Sequence, residues 1–504
     1  MYVSHPLIKE NKVEKRKYQE SILKTAEKKN TLVVLPTGIG KTIIAVLLAA
    51  KRLEKYPESK ILVLAPTKPL VAQHKKSFED VMNLPENELV LVTGSIKPEK
   101  RKKLYEKAKI IFSTPQTIEN DLKEERLSLE NFSLLVVDEA HRAVGKYAYT
   151  FIAKKYMSSS RFPLILALTA SPGSDEERIN EICENLFIRA IEIRSERDED
   201  VRPYVKPVQI IVEKVSFDSE LEDIRNELNE ALKKYKERLK EFEITFSTKK
   251  ELLEVQSQLA QKVKHGRKEF AYVLALVADA LKVWHALELL ETQSVGALRE
   301  YLQRLKQVPQ GKRVFALEEV RKAFAKAVVA NEEHPKMQKL VDIIEKELSK
   351  NKDVKILVFS HYRDNIKEIY ERLKKIPGCK PCYLVGQAGE MGLSQREQIE
   401  VIKRFENGEF NCMIGSPVSE EGLHIPSVDI GIFYDAVPSE IRLIQRRGRI
   451  GRTKFGKIIF ILLRRSRDEA YYYTALRKEK KMREYLKMLK NMKEKYTRKT
   501  LFDF

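Results

Sequence analysis

Three short stretches carry residue types that could do phosphate chemistry. The first is Leu35-Pro36-Thr37-Gly38-Ile39-Gly40-Lys41-Thr42. Gly38 and Gly40 can take positive φ and leave space for backbone N–H groups to curl around phosphate oxygens. Lys41 would reach the β- and γ-phosphates, and the Thr42 hydroxyl would ligate Mg²⁺. Leu35 stands where the full phosphate-loop pattern has its first glycine. Taken alone, the stretch also reads as a Gly-rich turn with an incidental lysine. The second is Asp138-Glu139-Ala140-His141. Here Asp138 would hold Mg²⁺ and Glu139 would orient and deprotonate an attacking water, although acids also favour helix N-termini for their own sake. The third is Gln445-Arg446-Arg447-Gly448-Arg449-Ile450-Gly451-Arg452. The guanidinium is planar, always charged and bidentate toward phosphate. From the edge of a second domain it can reach a triphosphate held by the first; a generic basic patch is the plain alternative.

Such residues need a scaffold. Thr31–Leu35 is an apolar run that reads as a buried parallel strand, and Ile43–Arg52 reads as a helix. The loop between them therefore sits at a positive helix N-terminus. Further short apolar runs, Ile61–Leu64, Leu89–Val92, Ile110–Phe112, Leu134–Val137 and Leu164–Leu168, alternate with charged, helix-period segments. That alternation predicts a doubly wound α/β domain, in which ligands gather at the C-terminal ends of strands. Three of those ends carry Pro66-Thr67-Lys68, Thr93-Gly94 and Thr114-Pro115-Gln116. Their hydroxyls and amides suit sugar-phosphate contacts that read no base. Each is an ordinary turn by itself; three on one rim favour contact. Thr169-Ala170-Ser171 closes the last strand, where it could link the two sites through His141. Gln19, ahead of the loop, has an amide able to read adenine, or is an ordinary surface glutamine.

From Ser219 to Ala330 the strands give way to long helical patterns, and α/β alternation returns at His334. Ser360 and Gly415-Ser416 then repeat small polar residues at strand ends, mirroring the first rim. The expected divisions are 1–205, 206–333 (helical), 334–465 and a basic helical tail, 466–504. Lys233, Lys234, Lys236, Arg238 and Lys240 crowd one helix of the middle segment. They read as a polynucleotide contact or as a solvated face balanced by glutamates.

Composition narrows the class. The 504 residues include 94 Lys+Arg against 73 Asp+Glu, a formal charge of +21. An excess of one sign favours a polyanionic partner, while the 33% charged content resembles hyperthermophile usage. No apolar run could cross a membrane and no signal peptide opens the chain, so an intracellular, cytoplasmic, DNA-associated protein is expected. Cys379 and Cys382 lack a second ligand pair and read as structural.

Together, Tyr18-Gln19, the Thr37–Thr42 loop, Pro66-Thr67-Lys68, Thr114-Pro115-Gln116, Asp138-Glu139-Ala140-His141 (a DEAH box), Thr169-Ala170-Ser171, Gly415-Ser416 and the Gln445–Arg452 run resemble the ordered motifs of superfamily-two helicases, across roughly residues 10–465. The helical segment resembles the branch holding archaeal Hef, Fanconi-anaemia group M translocases and viral-RNA sensor helicases, with the motif wording nearest the Hef type. The resemblance implies an α/β fold of two RecA-like parallel-sheet domains with an all-helical insert between them. It implies ATP and Mg²⁺ as cofactors, with Lys41, Glu139, Gln445, Arg449 and Arg452 catalytic. It also implies 3′-to-5′ movement on forks and junctions, with branched DNA as partner, in fork repair. Gln445 stands where many relatives have His, Thr169 where many have Ser, and His141 where sensor-type relatives often have Cys. Hef-type proteins add a nuclease; none is read after Leu463, so a nuclease domain absent from this chain is an expected partner. The rival expectations are a double-stranded-RNA-stimulated ATPase and a passive branched-DNA clamp.

Overall fold

The computed structural model describes residues 1–36, 38–205, 208–330, 333–387, 391–416, 428–435 and 456–499, with side chains to 492. Thr37 and the whole Gln445–Arg452 run lie outside the described residues.

Among the described residues the first sheet has seven strands: β1 Thr31–Val34, β2 Lys60–Leu64, β3 Leu89–Val92, β4 Ile110–Ser113, β5 Phe132–Val137, β6 Ile165–Thr169 and β7 Ala190–Ile193. Their order is β3-β4-β2-β5-β6-β1-β7, and every pairing is parallel. Parallel strands need crossovers, so helices cover both faces and the strands are largely apolar. Two clusters result. One has Leu32, Leu62, Leu135 and Ala167 on one face, and the other has Val33, Val63, Val136 and Leu168 on the opposite face. The strand order divides the C-terminal rim. The turns after β3, β4 and β2 occupy one half; those after β5, β6 and β1 occupy the other.

The second sheet comprises β8 Val208–Val215, β9 Ile356–Phe359, β10 Pro381–Leu384, β11 Cys412–Gly415, β12 Ile430–Phe433 and β13 Gly456–Leu463, ordered β10-β11-β9-β12-β13-β8. β8 falls within the stretch 206–333 that the sequence reads as helical, and it joins the second sheet. It pairs in parallel with β13 over its full length, from Gly456↔Val208 to Leu463↔Val215. Its half-exposed, edge-strand pattern, with Glu213 bonded to Lys339 at 2.9 Å, hides it from a search for apolar runs.

Between β8 and β9 lies a helical bundle. In Ser219–Lys240, Leu221, Ile224, Leu228, Ala231, Leu232, Tyr235 and Leu239 recur at helical spacing and are buried. They pack on the long apolar helix Ala271–Thr292. Asp218 caps the first helix and Thr248–Glu251 form a capping box on Lys249–Lys264. Gly311 permits the tight turn from Val295–Gln307 into Pro309–Phe315, since a Cβ there would fall 1.7 Å from the Leu305 carbonyl oxygen.

The last helix, Arg467–Lys499, is no loose tail. Asp468 pairs at 2.5 Å with buried Lys336 of the helix Pro335–Lys350, and Arg467 pairs with Glu291 at 3.0 Å, rooting the last helix in the second domain and the bundle. Further along, Met482 and Leu486 enter the first domain's core, and Lys490 reaches Glu192 at 3.1 Å. No helix among the described residues is long and apolar enough to cross a membrane.

Candidate nucleotide and nucleic-acid sites

The helix Lys41–Lys55 begins directly after Gly40, at φ +88°. Gly38 has φ +89°. Only glycine takes that region without strain, so the loop amides can line the positive helix end. Lys41 Nζ donates to Leu35 O at 3.2 Å, a neutral acceptor that a phosphate oxygen could replace. Gln19 is buried and its Nε2 donates to Gly40 O at 3.5 Å, while Tyr18 Oη donates to Ile39 O. The Gln19 amide therefore supports the loop; a Cβ on Gly40 would lie 2.7 Å from it.

β6 separates β1 from β5, so the Thr169–Ser171 turn lies between the loop and the acidic pair. Leu35 N donates to Thr169 O at 3.1 Å. His141 Nδ1 is 3.4 Å from Thr169 Oγ1 and 3.3 Å from Glu139 Oε2. Thr169 Oγ1 donates to Ser171 O at 3.0 Å. The structure thus brings Glu139, His141, Thr169 and Ser171 into one chain of contacts. Ser171 Oγ lies 2.9 Å from Met482 Sδ of the last helix.

Glu139 occupies the left-handed region, at φ 49° and ψ 50°. Non-glycine residues held there cost about 1–3 kcal/mol and cluster at functional sites. Its Oε2 is buried and accepts no hydrogen bond, with the His141 imidazole 3.3 Å away. Asp138 is held by His74, whose Nε2 is 2.7 Å from Oδ2; both side chains are nearly buried. Burial would raise the Asp138 carboxyl pKa, but His74 and the charge of Lys41 outweigh it and keep the group below the usual range. An ionised carboxylate near a lysine, next in the chain to a second carboxylate that makes no hydrogen bond, fits a divalent cation with phosphates: hard oxygen donors suit magnesium. His74 carried no signal in the sequence. It lies on Lys68–Val81, and only the fold sets it against Asp138.

On the other half of the rim, Pro66, Thr67 and Lys68 open the helix Lys68–Val81. Thr93 Oγ1 bonds Ser95 Oγ at 2.8 Å, and Thr114 Oγ1 bonds Thr117 Oγ1 at 2.9 Å. Gly94 and Gln116 are exposed. The two turns adjoin, since a Cβ on Gly94 would be 3.7 Å from Thr117 Oγ1.

The second sheet departs from the sequence reading. Ser360 is fully buried and donates to Asp435 Oδ2 at 2.7 Å, so its hydroxyl does not face a ligand. Ser416 is 5% exposed, and Gly415 O accepts Ser360 N at 3.1 Å. Asp435, pushed up by burial, also meets His361 N and Asn365. Asn365 Nδ2 in turn donates to Thr292 O at 2.8 Å, so this network anchors the helical bundle. The bundle's basic cluster is partly spoken for. Lys233 meets Glu230, Lys234 meets Glu319, and Lys236 lies over the Phe246 ring.

Two α/β sheets, one with a phosphate loop and an acidic pair flanking a hydroxyl turn, define a P-loop protein of the helicase type. Residues 12–174 match the family described as "Type III restriction enzyme, res subunit", and 335–454 match "Helicase conserved C-terminal domain". Residues 220–334 match "Putative ATP-dependent RNA helicase, helical bundle". The crystal structure of the Pyrococcus furiosus Hef helicase domain is similar at TM-score 0.75 and 43% identity, covering 93% of this chain and 99% of that one. The chain belongs to the superfamily-two helicases, whose domains bind ATP. A Methanocaldococcus jannaschii protein described as "Putative ATP-dependent RNA helicase" is 42% identical over 98% of this chain and 63% of its own length. The Schizosaccharomyces pombe "ATP-dependent DNA helicase fml1" is 33% identical over 91% of this chain and 58% of its own length. The chain therefore spans about three fifths of these curated relatives.

Proposed function

We propose that the protein is an ATP-driven DNA helicase or translocase acting on branched DNA, in replication-fork repair. The observation that carries the reading is the divided rim. One half gathers Lys41, Asp138 and Glu139 around the Thr169 turn, and the other presents Thr67, Lys68, Gly94 and Gln116 on the same sheet edge. In this reading Pro36, Thr37, Gly38, Ile39 and Gly40 wrap the phosphates and Lys41 pairs with them. Thr42 and Asp138 hold Mg²⁺, which neutralises phosphate charge when bound. Glu139 takes the proton of the attacking water; its Oε2 makes no hydrogen bond among the described residues. Gln445 helps place the water, and Arg449 and Arg452 stabilise charge as the cleft closes. Contact from Glu139 through His141 to Thr169 and Ser171 lets nucleotide state bias the neighbouring grip. The working divisions are 1–205, 206–333, 334–465 and 466–504, with β8 assigned to the second sheet.

Relatives named as DNA helicases in Schizosaccharomyces pombe and Neurospora crassa support the DNA assignment. The Methanocaldococcus relative's name favours a second reading, a double-stranded-RNA-stimulated ATPase. Phosphate release with forked DNA, linear duplex and double-stranded RNA separates them. The fork should stimulate most; stimulation by RNA alone would refute the DNA reading. Glu139→Gln should abolish hydrolysis and fork remodelling together. Wild-type remodelling by that variant would point instead to a passive clamp.

A further inference from the structure

The helix Pro98–Lys107 follows the Thr93-Gly94 turn at the edge of the first sheet. Its sequence is almost wholly charged, yet only Arg101 and Tyr105 are buried among its polar residues. Arg101 Nε and Nη2 donate to both oxygens of Asp121 at 2.7 and 2.6 Å, and Arg101 Nη1 donates to Ile96 O at 2.5 Å. Tyr105 Oη and Arg126 Nε reach the same carboxylate at 2.5 and 2.8 Å. Asp121 is fully buried, and it lies on Pro115–Lys123, the helix that starts at the Thr114 turn. One satisfied carboxylate therefore locks the helix to both rim turns on the nucleic-acid half.

Locking one face leaves the other with lysines that have no job in the fold. Lys97, Lys100, Lys102, Lys103 and Lys107 are exposed and make no side-chain hydrogen bond or ion pair among the described residues. Three bundle lysines, Lys233, Lys234 and Lys326, have carboxylate partners instead. Lys100, Lys103 and Lys107 follow i, i+3, i+7 spacing, which aligns them on one flank. Seven residues of helix rise by about 10 Å. Each strand of B-DNA places a phosphate every ~3.4 Å along the axis, so about three fall within that length.

Resting on the nucleic-acid reading above, the geometry points to Pro98–Lys107 as a phosphate-backbone contact for the duplex arm of a branched substrate. The rim turns hold one strand, and the Lys100–Lys103–Lys107 stripe runs away from the rim beside the edge strand β3. The contact reads charge and spacing, not base sequence.

The triple variant Lys100→Gln/Lys103→Gln/Lys107→Gln tests this. Its substitutions are helix-compatible and break no observed bond. Fork, linear duplex and single-strand affinities would be measured by anisotropy across a salt series, without nucleotide. On fork and duplex, the slope of log K against log salt should fall by about 2.7, at roughly 0.9 for each phosphate that the lysines no longer neutralise. On single strands it should not change. Basal ATP hydrolysis without nucleic acid should also be unchanged, which reports an intact fold. The comparison variant Lys346→Gln/Lys352→Gln/Lys375→Gln removes equal charge from exposed positions of the second domain and should leave the slope alone. An unchanged slope for the stripe variant, an equal fall in the comparison variant, or a fall confined to single strands would each overturn the assignment. If wild-type protein bound no fork or duplex at all, the nucleic-acid reading itself would fail, and the stripe with it.

Discussion

Replacing His74 isolates one geometric idea: the acidic pair works only if Asp138 is held at a fixed rotation. His74 Nε2 engages Oδ2 at 2.7 Å and leaves the other oxygen for a cation. His74→Leu fills similar space but removes the donor from a carboxylate that is only 7% exposed. A hydrogen bond to a charged group contributes about 1.5–3 kcal/mol. Loss of a residue supporting a metal ligand typically lowers metal affinity about 10–100-fold, and tenfold corresponds to about 1.4 kcal/mol. The two routes agree in size. Binding of a fluorescent ATP analogue, titrated against Mg²⁺, reads the effect directly. His74→Leu should need about 10–100-fold more Mg²⁺ for half-maximal binding, with affinity near wild type once Mg²⁺ saturates. His74→Gln, which keeps a donor, should recover much of the loss. An unchanged Mg²⁺ dependence in His74→Leu would refute the positioning argument. A loss equal at all Mg²⁺ concentrations would show instead that the loop itself had been disturbed.

Gly40→Ala meets two penalties. Its φ of +88° costs about 1–2 kcal/mol for a residue with a Cβ, and that Cβ would lie 2.7 Å from Gln19 Nε2. Nucleotide binding should weaken strongly, and adding Gln19→Ala should restore only the steric share, as titration calorimetry would show. Burial and the Lys336 ammonium push the His334 pKa down to about 3 from 6.5. Between those values the unfolded chain binds the proton and the folded one does not. His334 therefore stabilises fully above pH 6.5 and loses that contribution toward pH 3, at about 1.4 kcal/mol per pH unit. His334→Asn keeps a helix-capping acceptor, so its urea midpoint should fall less steeply than wild type on acidification through that range. Leu486 is fully buried against the first domain, so Leu486→Ala should cost about 2–5 kcal/mol. Faster amide exchange along Arg467–Lys499 should accompany the loss.

What was legible in the sequence follows from what each element buries. Strands β1 to β6 and β9 to β13 are apolar because both faces are covered, so a search for short apolar runs finds them. β7 escaped because Glu192 sits inside it, buried with Thr25, Arg194 and Lys490 as partners. β8 escaped because an edge strand alternates and carries charge. The nucleotide loop and acidic pair were readable because phosphate chemistry demands glycines, a lysine and carboxylates at fixed offsets. His74 was not, because its partner is sixty-four residues away. Ser360 misled for a related reason: a serine at a strand end looks the same whether it faces a ligand or a buried Asp435.

The last helix shows the same limit from the other side. Its lysines and arginines read as a basic tail, and charge was the visible part. Among its few packing residues, Met482 and Leu486 place the helix against the first domain beside the Ser171 turn. Its first turn is held by Lys336, from the helix Pro335–Lys350 of the second domain, and by Glu291 from the bundle. A helix fixed at one end to the second sheet and touching the hydroxyl turn of the first cannot stay indifferent when the two sheets shift. Either Ser171 and Met482 part, or the Lys336–Asp468 and Arg467–Glu291 pairs must strain. The buried Lys336–Asp468 pair is the costlier to break, because parting it strands two charges with no water to solvate them. Movement between the sheets therefore either strains that pair or peels the helix from the first domain, which exposes Met482 and Leu486 and parts Lys490 from Glu192.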